Sequence, residues 1–268
     1  MAEETPLVIR SRANDTLKRV AAVFAGKRPQ ELVLEGERLV DDALRAGHEL
    51  EFVLVAEDRE EQAREFEGRA RQVLRVERAL LDRLSQLKTS PGLMGLCSTP
   101  REPALGDLPL HDRFLLLVIA GVADPGNLGA LARSAEAAGA DALALVKGGA
   151  GPWNDKALRG SMGSLLRLPV VRADRAAELA RDLDQRDVRQ CVAATRDGVP
   201  FDSFDWGGPL AIWVGSETGA APSDCEGMEQ VTIAMAGEAE SLNVAVATSI
   251  LLFAAGRNDG RGKQAGGA

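Results

Sequence analysis

Seven consecutive apolar residues, Phe114 to Ala120, lead into a glycine-rich loop, Gly121 to Gly126, and then into sequence with helical spacing. An apolar run without alternation reads as a strand buried on both faces. The following helix places Leu128, Leu131, Ala135 and Ala138 on one side and closes at Gly139. Strand candidates then recur at Ala142–Val146, Leu166–Val171, Cys191–Ala194, Leu210–Val214 and Val231–Met235, with helical sequence between several of them. A last helix runs from about Leu242 to Ala255. Such alternation predicts an α/β fold with a parallel sheet covered on both faces.

Residues 1–98 carry shorter elements. Leu17, Val20, Ala21 and Phe24 have helical spacing, and Leu32–Leu34 is a strand candidate. A helix with Leu39, Val40, Ala43 and Leu44 ends at Gly47, and Phe52–Val55 makes the next strand before charged helical sequence from Glu60 to Ala70. Three prolines (Pro100, Pro103, Pro109) fall between Thr99 and Asp112, where periodicity is lost. The expected organisation is a domain over 1–98, a linker over 99–112, a second domain over 113–256 and a frayed glycine-rich tail over 257–268.

Thirty-two Lys and Arg against 40 Asp and Glu give a net charge of -8, which argues against a non-specific polyanion binder. Charge is unevenly placed, however. Residues 1–30 hold six basic and three acidic side chains, and residues 147–175 hold six and two. Two basic segments on an acidic chain suit a polyanion gripped on one face, and equally a solvated surface. Cys97, Cys191 and Cys225 form no C-x-x-C pair and have no histidine beside them, so neither a disulfide framework nor a metal site is expected. The acidic opening lacks the pattern of a signal peptide, and the apolar stretch Leu242–Ala255 is shorter than the roughly 20 residues of a membrane span. A soluble protein of the reducing cytoplasm is expected.

Three loops follow strands. Asp124-Pro-Gly-Asn127-Leu-Gly129, leading to Arg133, has neither dinucleotide-fingerprint nor phosphate-loop spacing. Gly215-Ser216-Glu217-Thr218-Gly219 is not a nucleophile elbow, and both histidines, His48 and His111, precede the α/β segment, against a Ser-His-acid triad. In Glu240-Ser241-Leu242-Asn243, Ser241 is a natural helix N-cap, and Asn243 at the start of an apolar helix needs a partner. Strand ends in α/β folds gather ligands. Here they carry amides, a guanidinium, a carboxylate and a hydroxyl, with no strong neutral-pH nucleophile. That set fits group transfer from an activated cofactor better than hydrolysis.

In this order the segments Asp124–Gly139, Val214–Gly219 and Val231–Ala247 resemble the three motifs of the SpoU (TrmH-type) RNA methyltransferases of the SPOUT superfamily. The first 98 residues are similar, more loosely, to the L30e-like α/β substrate-binding domain common in that family. The resemblance implies a deep trefoil knot in the C-terminal domain, S-adenosylmethionine as cofactor, a homodimer, and methylation of a ribose 2′-hydroxyl in RNA. It implies Arg133 as main catalytic residue with Asn127, Glu217, Ser241 and Asn243 around it. Thr195, Val214, Gly215, Gly219, Ile233, Met235 and Leu242 are its cofactor contacts, and no metal is implied. Two departures bear on loop geometry: Ala234 replaces a frequent proline, and Ala220-Ala221-Pro222 replaces a Gly-Leu continuation.

Arg10, Arg12, Lys18 and Arg19 in the first domain, and Lys156, Arg159 and Arg167 in the second, are the candidates for RNA phosphate contacts. Trp153 is the aromatic candidate for base stacking. Large-subunit (23S) ribosomal RNA is the favoured substrate by analogy. Transfer RNA, a non-catalytic RNA-binding or ribosome-assembly role on the same fold, and a small-molecule transferase remain as alternatives.

Overall fold

The computed structural model describes residues 7–215 and 227–258. The chain divides into two units, Met1–Arg101 and Glu102–Ala268.

In the first unit the chain runs β1 (Val8–Ile9), α1 (Asp15–Phe24), β2 (Glu31–Glu35), α2 (Glu37–Arg45), β3 (Leu50–Ala56), α3 (Glu60–Phe66), β4 (Val73–Val76), α4 (Arg78–Leu84) and β5 (Leu93–Ser98). The sheet order is β1-β4-β3-β5-β2, with β5 antiparallel to both neighbours and the other pairs parallel. Leu17 and Val20 of α1 pack with Leu81 of α4 onto Leu54, Met94 and Leu96 of the sheet. The charged helix predicted to reach Ala70 stops at Phe66, before Gly68 at φ 76°.

The second unit opens with a short 3-10 turn, Leu105–Asp107. Leu105 and Leu108 are buried in the core of this unit, and Arg186 donates to both of their carbonyls. The proline-rich segment thus closes one end of a core rather than merely spanning a gap. Next come β6 (Leu115–Ala120), α5 (Pro125–Ala138), β7 (Ala142–Val146), α6 (Asp155–Ser161), α7 (Ser164–Arg167) and β8 (Val170–Ala173). They are followed by α8 (Ala176–Asp184), β9 (Arg189–Ala194), β10 (Val199–Pro200), β11 (Leu210–Val214), β12 (Glu229–Thr232) and α9 (Val244–Asn258).

All described pairings of this seven-stranded sheet are parallel, in the order β10-β12-β9-β11-β6-β7-β8. The late strand β11 enters between β6 and β9, and β12 between β9 and β10. Strand β6 is buried along its whole length, as its unbroken apolar run requires. Trp213 of β11 is fully buried, and its indole N–H donates to Gln190 Oε1 at 3.0 Å.

Two strand predictions are corrected here. Leu166 belongs to α7, because Ser164–Arg167 turns as a helix after Gly163, and the strand starts beyond Pro169 at Val170. Strand β12 ends at Thr232, so Ile233–Met235 lie past the sheet. Among the described residues no helix is long and apolar enough to cross a membrane.

Candidate active site

In a parallel sheet every strand ends on the same edge, and a ligand site belongs where the chain reverses its direction of travel across that sheet. The reversal lies at β6, with β7 and β8 to one side and β11, β9 and β12 to the other. The adjacent ends of β12, β9, β11 and β6 lead into Ile233–Met235, Thr195, Val214–Gly215 and the loop to α5 respectively. Predicted cofactor contacts on three separate sequence segments are thereby brought to one edge, beside the loop that starts α5. Thr195 is exposed, while Ile233 and Met235 are half-buried. The loop after Thr195 is tight against β12: a Cβ on Gly198 would lie 2.8 Å from the Gln230 carbonyl oxygen.

Helix α5 begins with an Asp-Pro pair. Asp124 is its N-cap and accepts from the Asn127 backbone N–H at 2.9 Å, while Pro125 occupies the first turn, where no intrahelical N–H is needed. Helix α9 is capped by Asn243, whose Oδ1 accepts from the Ala245 N–H at 2.9 Å. Ser241, the predicted cap, lies two residues upstream and is exposed. What selects Asn243 is its second bond: Nδ2 donates to Asn127 Oδ1 at 3.3 Å.

That bond begins a seam between two helices. Ser134 and Ser249 share a 2.7 Å hydrogen bond further along, and a Cβ on Gly256 would lie 2.7 Å from the Ala138 carbonyl oxygen. The contacts advance together, so α5 and α9 run side by side in the same direction with their N-termini joined. Both helix dipoles present their positive ends at this point.

On its other side α5 meets α6 with almost no clearance. A Cβ on Gly129 would fall 2.5 Å from the Ala157 carbonyl oxygen. Lys156 of α6 reaches across and places Nζ 2.6 Å from Asp124 Oδ2. Its ammonium, with the Asn127 N–H, holds the Asp124 carboxyl below the usual carboxylate range. Arg133 stands one turn beyond Gly129 on the same side of α5. It is exposed, and its guanidinium makes no hydrogen bond or ion pair with the described residues. Long helical side chains lean toward the N-terminus, which carries Arg133 back along α5 toward its start.

Ser241 and Leu242 are exposed beside Asn243, and Glu217 and Gly219 lie outside the described residues. The structure thus joins Asn127 to Asn243, places Arg133 on the same helix as Asn127, and sets Thr195, Val214, Gly215, Ile233 and Met235 at the strand ends.

The phosphate candidates fare differently. Arg12 is exposed with no ion-pair partner among the described residues, whereas Arg10 pairs with Glu57 at 2.8 Å and Lys18 with Asp15 at 3.0 Å. Arg19 is committed to internal bridges, 3.0 Å from Glu31 and 2.5 Å from Glu51. In the second unit Arg159 is paired closely with Asp155 in its own helix, and Arg167 lies 2.5 Å from Glu136. Trp153 is half-buried, with its indole N–H donating to Glu102 at 2.9 Å. Burial pushes the Cys97 and Cys191 thiols up to about 12, which excludes both as neutral-pH nucleophiles.

The sequence reading passed over the pairing of Asp124 with Lys156. Half of the signal was present, since Asp before Pro at the head of an apolar-periodic helix marks a cap. The lysine, 32 residues away, had no local signature.

Comparison with known proteins follows the same division of the chain. Residues 114–253 match the SpoU rRNA Methylase family, and residues 26–95 match the MRM3-like substrate binding domain. The chain is 32% identical over 225 residues to the 23S rRNA (guanosine(2553)-2′-O)-methyltransferase RlmP of Bacillus subtilis (strain 168), covering 82% of this chain and 86% of the relative. A crystal structure of an RNA 2′-O ribose methyltransferase is similar with a TM-score of 0.80 and 32% identity, over 94% of this chain and 99% of that one. The SpoU methyltransferase AviRb from Streptomyces viridochromogenes, solved with the cofactor AdoMet, is similar with a TM-score of 0.83 and 27% identity, over 93% of this chain and all of that one (100%).

Proposed function

The chain belongs to the SpoU rRNA methylase family, and from that membership we propose that it methylates the ribose 2′-hydroxyl of a guanosine in 23S ribosomal RNA. It is an S-adenosylmethionine-dependent RNA 2′-O-methyltransferase. The observation that carries the residue-level reading is the junction at the sheet edge: two parallel helix starts tied by Asn127 and Asn243, with Arg133 exposed on α5 and its guanidinium without a partner among the described residues.

The strand-end residues fit the cofactor. Ile233, Met235 and Leu242 offer half-buried or exposed apolar surface for an adenosine and a thioether chain. Bound there, S-adenosylmethionine supplies an electrophilic methyl group. This chain's residues then have to hold the ribose oxygen in line and ease the loss of its proton. A guanidinium is a poor base, so Arg133 grips the phosphate of the target nucleotide and stabilises the developing alkoxide, the proton passing to phosphate or water. Asn243 keeps the head of α9 against α5, with Ser241 and Glu217 as further catalytic candidates and Gly219 as a further cofactor candidate.

The substrate-binding unit contributes phosphate contacts through Arg12 and Arg10, with Lys18 in a lesser role. Arg19 instead ties α1 to β2 and β3. Helix α9 leaves Val246 and Phe253 exposed at 50% and 44%, two turns apart on one side, an apolar strip that supports an isologous homodimer through this helix. A substrate in ribosomal RNA supports a cytoplasmic location.

The test is methyl transfer from labelled S-adenosylmethionine to unmodified 23S ribosomal RNA and, separately, to transfer RNA. Incorporation into 23S RNA alone is expected. Incorporation into transfer RNA alone would move the substrate. Cofactor and RNA binding with no transfer to either RNA or to ribosomal particles would point to a binding-only role.

A further inference from the structure

Three cations of the second unit stand as phosphate candidates, and the geometry separates them. Arg159 is bound by Asp155, one turn earlier in the same helix. Arg167 is held by Glu136 and also donates to the Met162 carbonyl at 3.2 Å. Lys156 is held differently, since its partner is the N-cap of a neighbouring helix.

We propose that Lys156 is a further substrate-positioning residue, whose ammonium, steered by Asp124 over the first turn of α5, takes an oxygen of an RNA phosphate beside the target ribose. This rests on the RNA-methyltransferase reading above. Four observations carry it. The lysine stem covers Gly126 so closely that a Cβ there would lie 3.2 Å from Lys156 Cε and 2.7 Å from Asp124 Oδ1, so the glycine of this turn leaves room for both side chains. Asp124 has a second duty, capping α5 through Asn127, which fixes the carboxylate and hence the position of the ammonium. An ammonium has three N–H donors, and Asp124 engages one at 2.6 Å, while the side chain is 57% exposed. A phosphate oxygen can therefore bind without displacing the carboxylate. Finally, Lys156, Asp124, Asn127 and Asn243 form one continuous chain of contacts from α6 through α5 to α9, ending at the proposed catalytic junction. Lysine suits this place as a point charge with rotatable donors, and the clamp removes much of the disorder that a free lysine would lose on binding.

The experiment compares wild type, Lys156→Ala and Lys156→Arg for binding to a transcript of unmodified 23S ribosomal RNA over a series of salt concentrations. Cofactor affinity, thermal midpoint and steady-state kinetics are measured alongside. Lys156→Ala is expected to weaken RNA binding about tenfold and to make the slope of log K against log salt shallower by about 0.7–0.9, the loss of one phosphate contact. KM for RNA should rise more than kcat falls, with cofactor affinity and thermal midpoint retained, and Lys156→Arg should recover the slope. Unchanged RNA affinity and slope in Lys156→Ala would overturn the proposal. So would a parallel loss of thermal midpoint and cofactor binding, which marks a purely structural residue. The binding arm needs no methyl transfer. A wild type that binds RNA through Lys156 but transfers no methyl would sink the enzymatic reading and leave this one standing. Transfer by wild type with Lys156→Ala binding normally would do the reverse, and a wild type that binds no RNA would overturn both.

Discussion

Replacing Gly129 by alanine tests whether α5 and α6 meet as closely as the structure has them. The added methyl would lie 2.5 Å from the Ala157 carbonyl oxygen and 2.8 Å from both the Gly160 carbonyl carbon and the Ser161 nitrogen. All three are backbone atoms, so no side chain can swing away. Restoring an ordinary contact of about 3.4 Å requires the helices to part by about 0.9 Å. Overpacking of this kind costs about 1–3 kcal/mol, here toward the upper end because three main-chain atoms obstruct. Against it stands about 1 kcal/mol gained from replacing a helical glycine with alanine. The net loss is about 2 kcal/mol, a fall in thermal midpoint of about 4–8 °C for a unit of this size. Differential scanning calorimetry of Gly129→Ala reads it, with Gly106→Ala, where a Cβ meets nothing within 4 Å, as the control. A midpoint for Gly129→Ala equal to or above wild type would refute the packing argument, because propensity alone would then account for the change.

Asn243→Ala removes the cap of α9 and the link to Asn127 together. Thermal unfolding should show a loss of about 1 kcal/mol, whereas Asn243→Asp, which keeps the capping acceptor, should lose less. Glu31 is held down to about 2, chiefly by the Arg28 side chain and then by Arg19. Its folded pKa is depressed, so its contribution is present above about pH 4.5 and lost as pH falls toward 2. Stability of Glu31→Gln, followed by denaturant titration, should accordingly vary less across that window than wild type. Phe253→Asp places a charge in the exposed stripe of α9. Light scattering should then find a monomer, with methyl transfer lost in the same preparations.

Which parts of this fold could be read in advance follows from where each element gets its stability. Strands β6, β7 and β11 announce themselves because both faces are buried and every residue must be apolar. Strands β1 and β10 are two residues each and exist only through pairing with β4 and β12, so nothing local marks them. The Leu165–Leu166 pair is equally apolar as strand or helix, and periodicity over so short a run cannot choose. The same division applies to the site. The segments that carry the amides, Arg133 and the glycine turns can be singled out in sequence because each is local. The choice of Asn243 over Ser241 as cap depends on Asn127, 116 residues away, and two good capping residues cannot be ranked without that contact. Arg19 reads as a phosphate candidate in sequence because its partners Glu31 and Glu51, 12 and 32 residues away on β2 and β3, have no local signature.

The most direct test is mass spectrometry of nucleosides from unmodified 23S ribosomal RNA incubated with S-adenosylmethionine and either wild type, Arg133→Lys or Arg133→Ala. The expected result is a 2′-O-methylated guanosine with wild type, reduced about 10- to 100-fold with Arg133→Lys and absent with Arg133→Ala, while all three proteins bind the cofactor equally. A methyl group on the base, or a 2′-O-methylguanosine formed at an undiminished rate by Arg133→Ala, would contradict the assignment of this site.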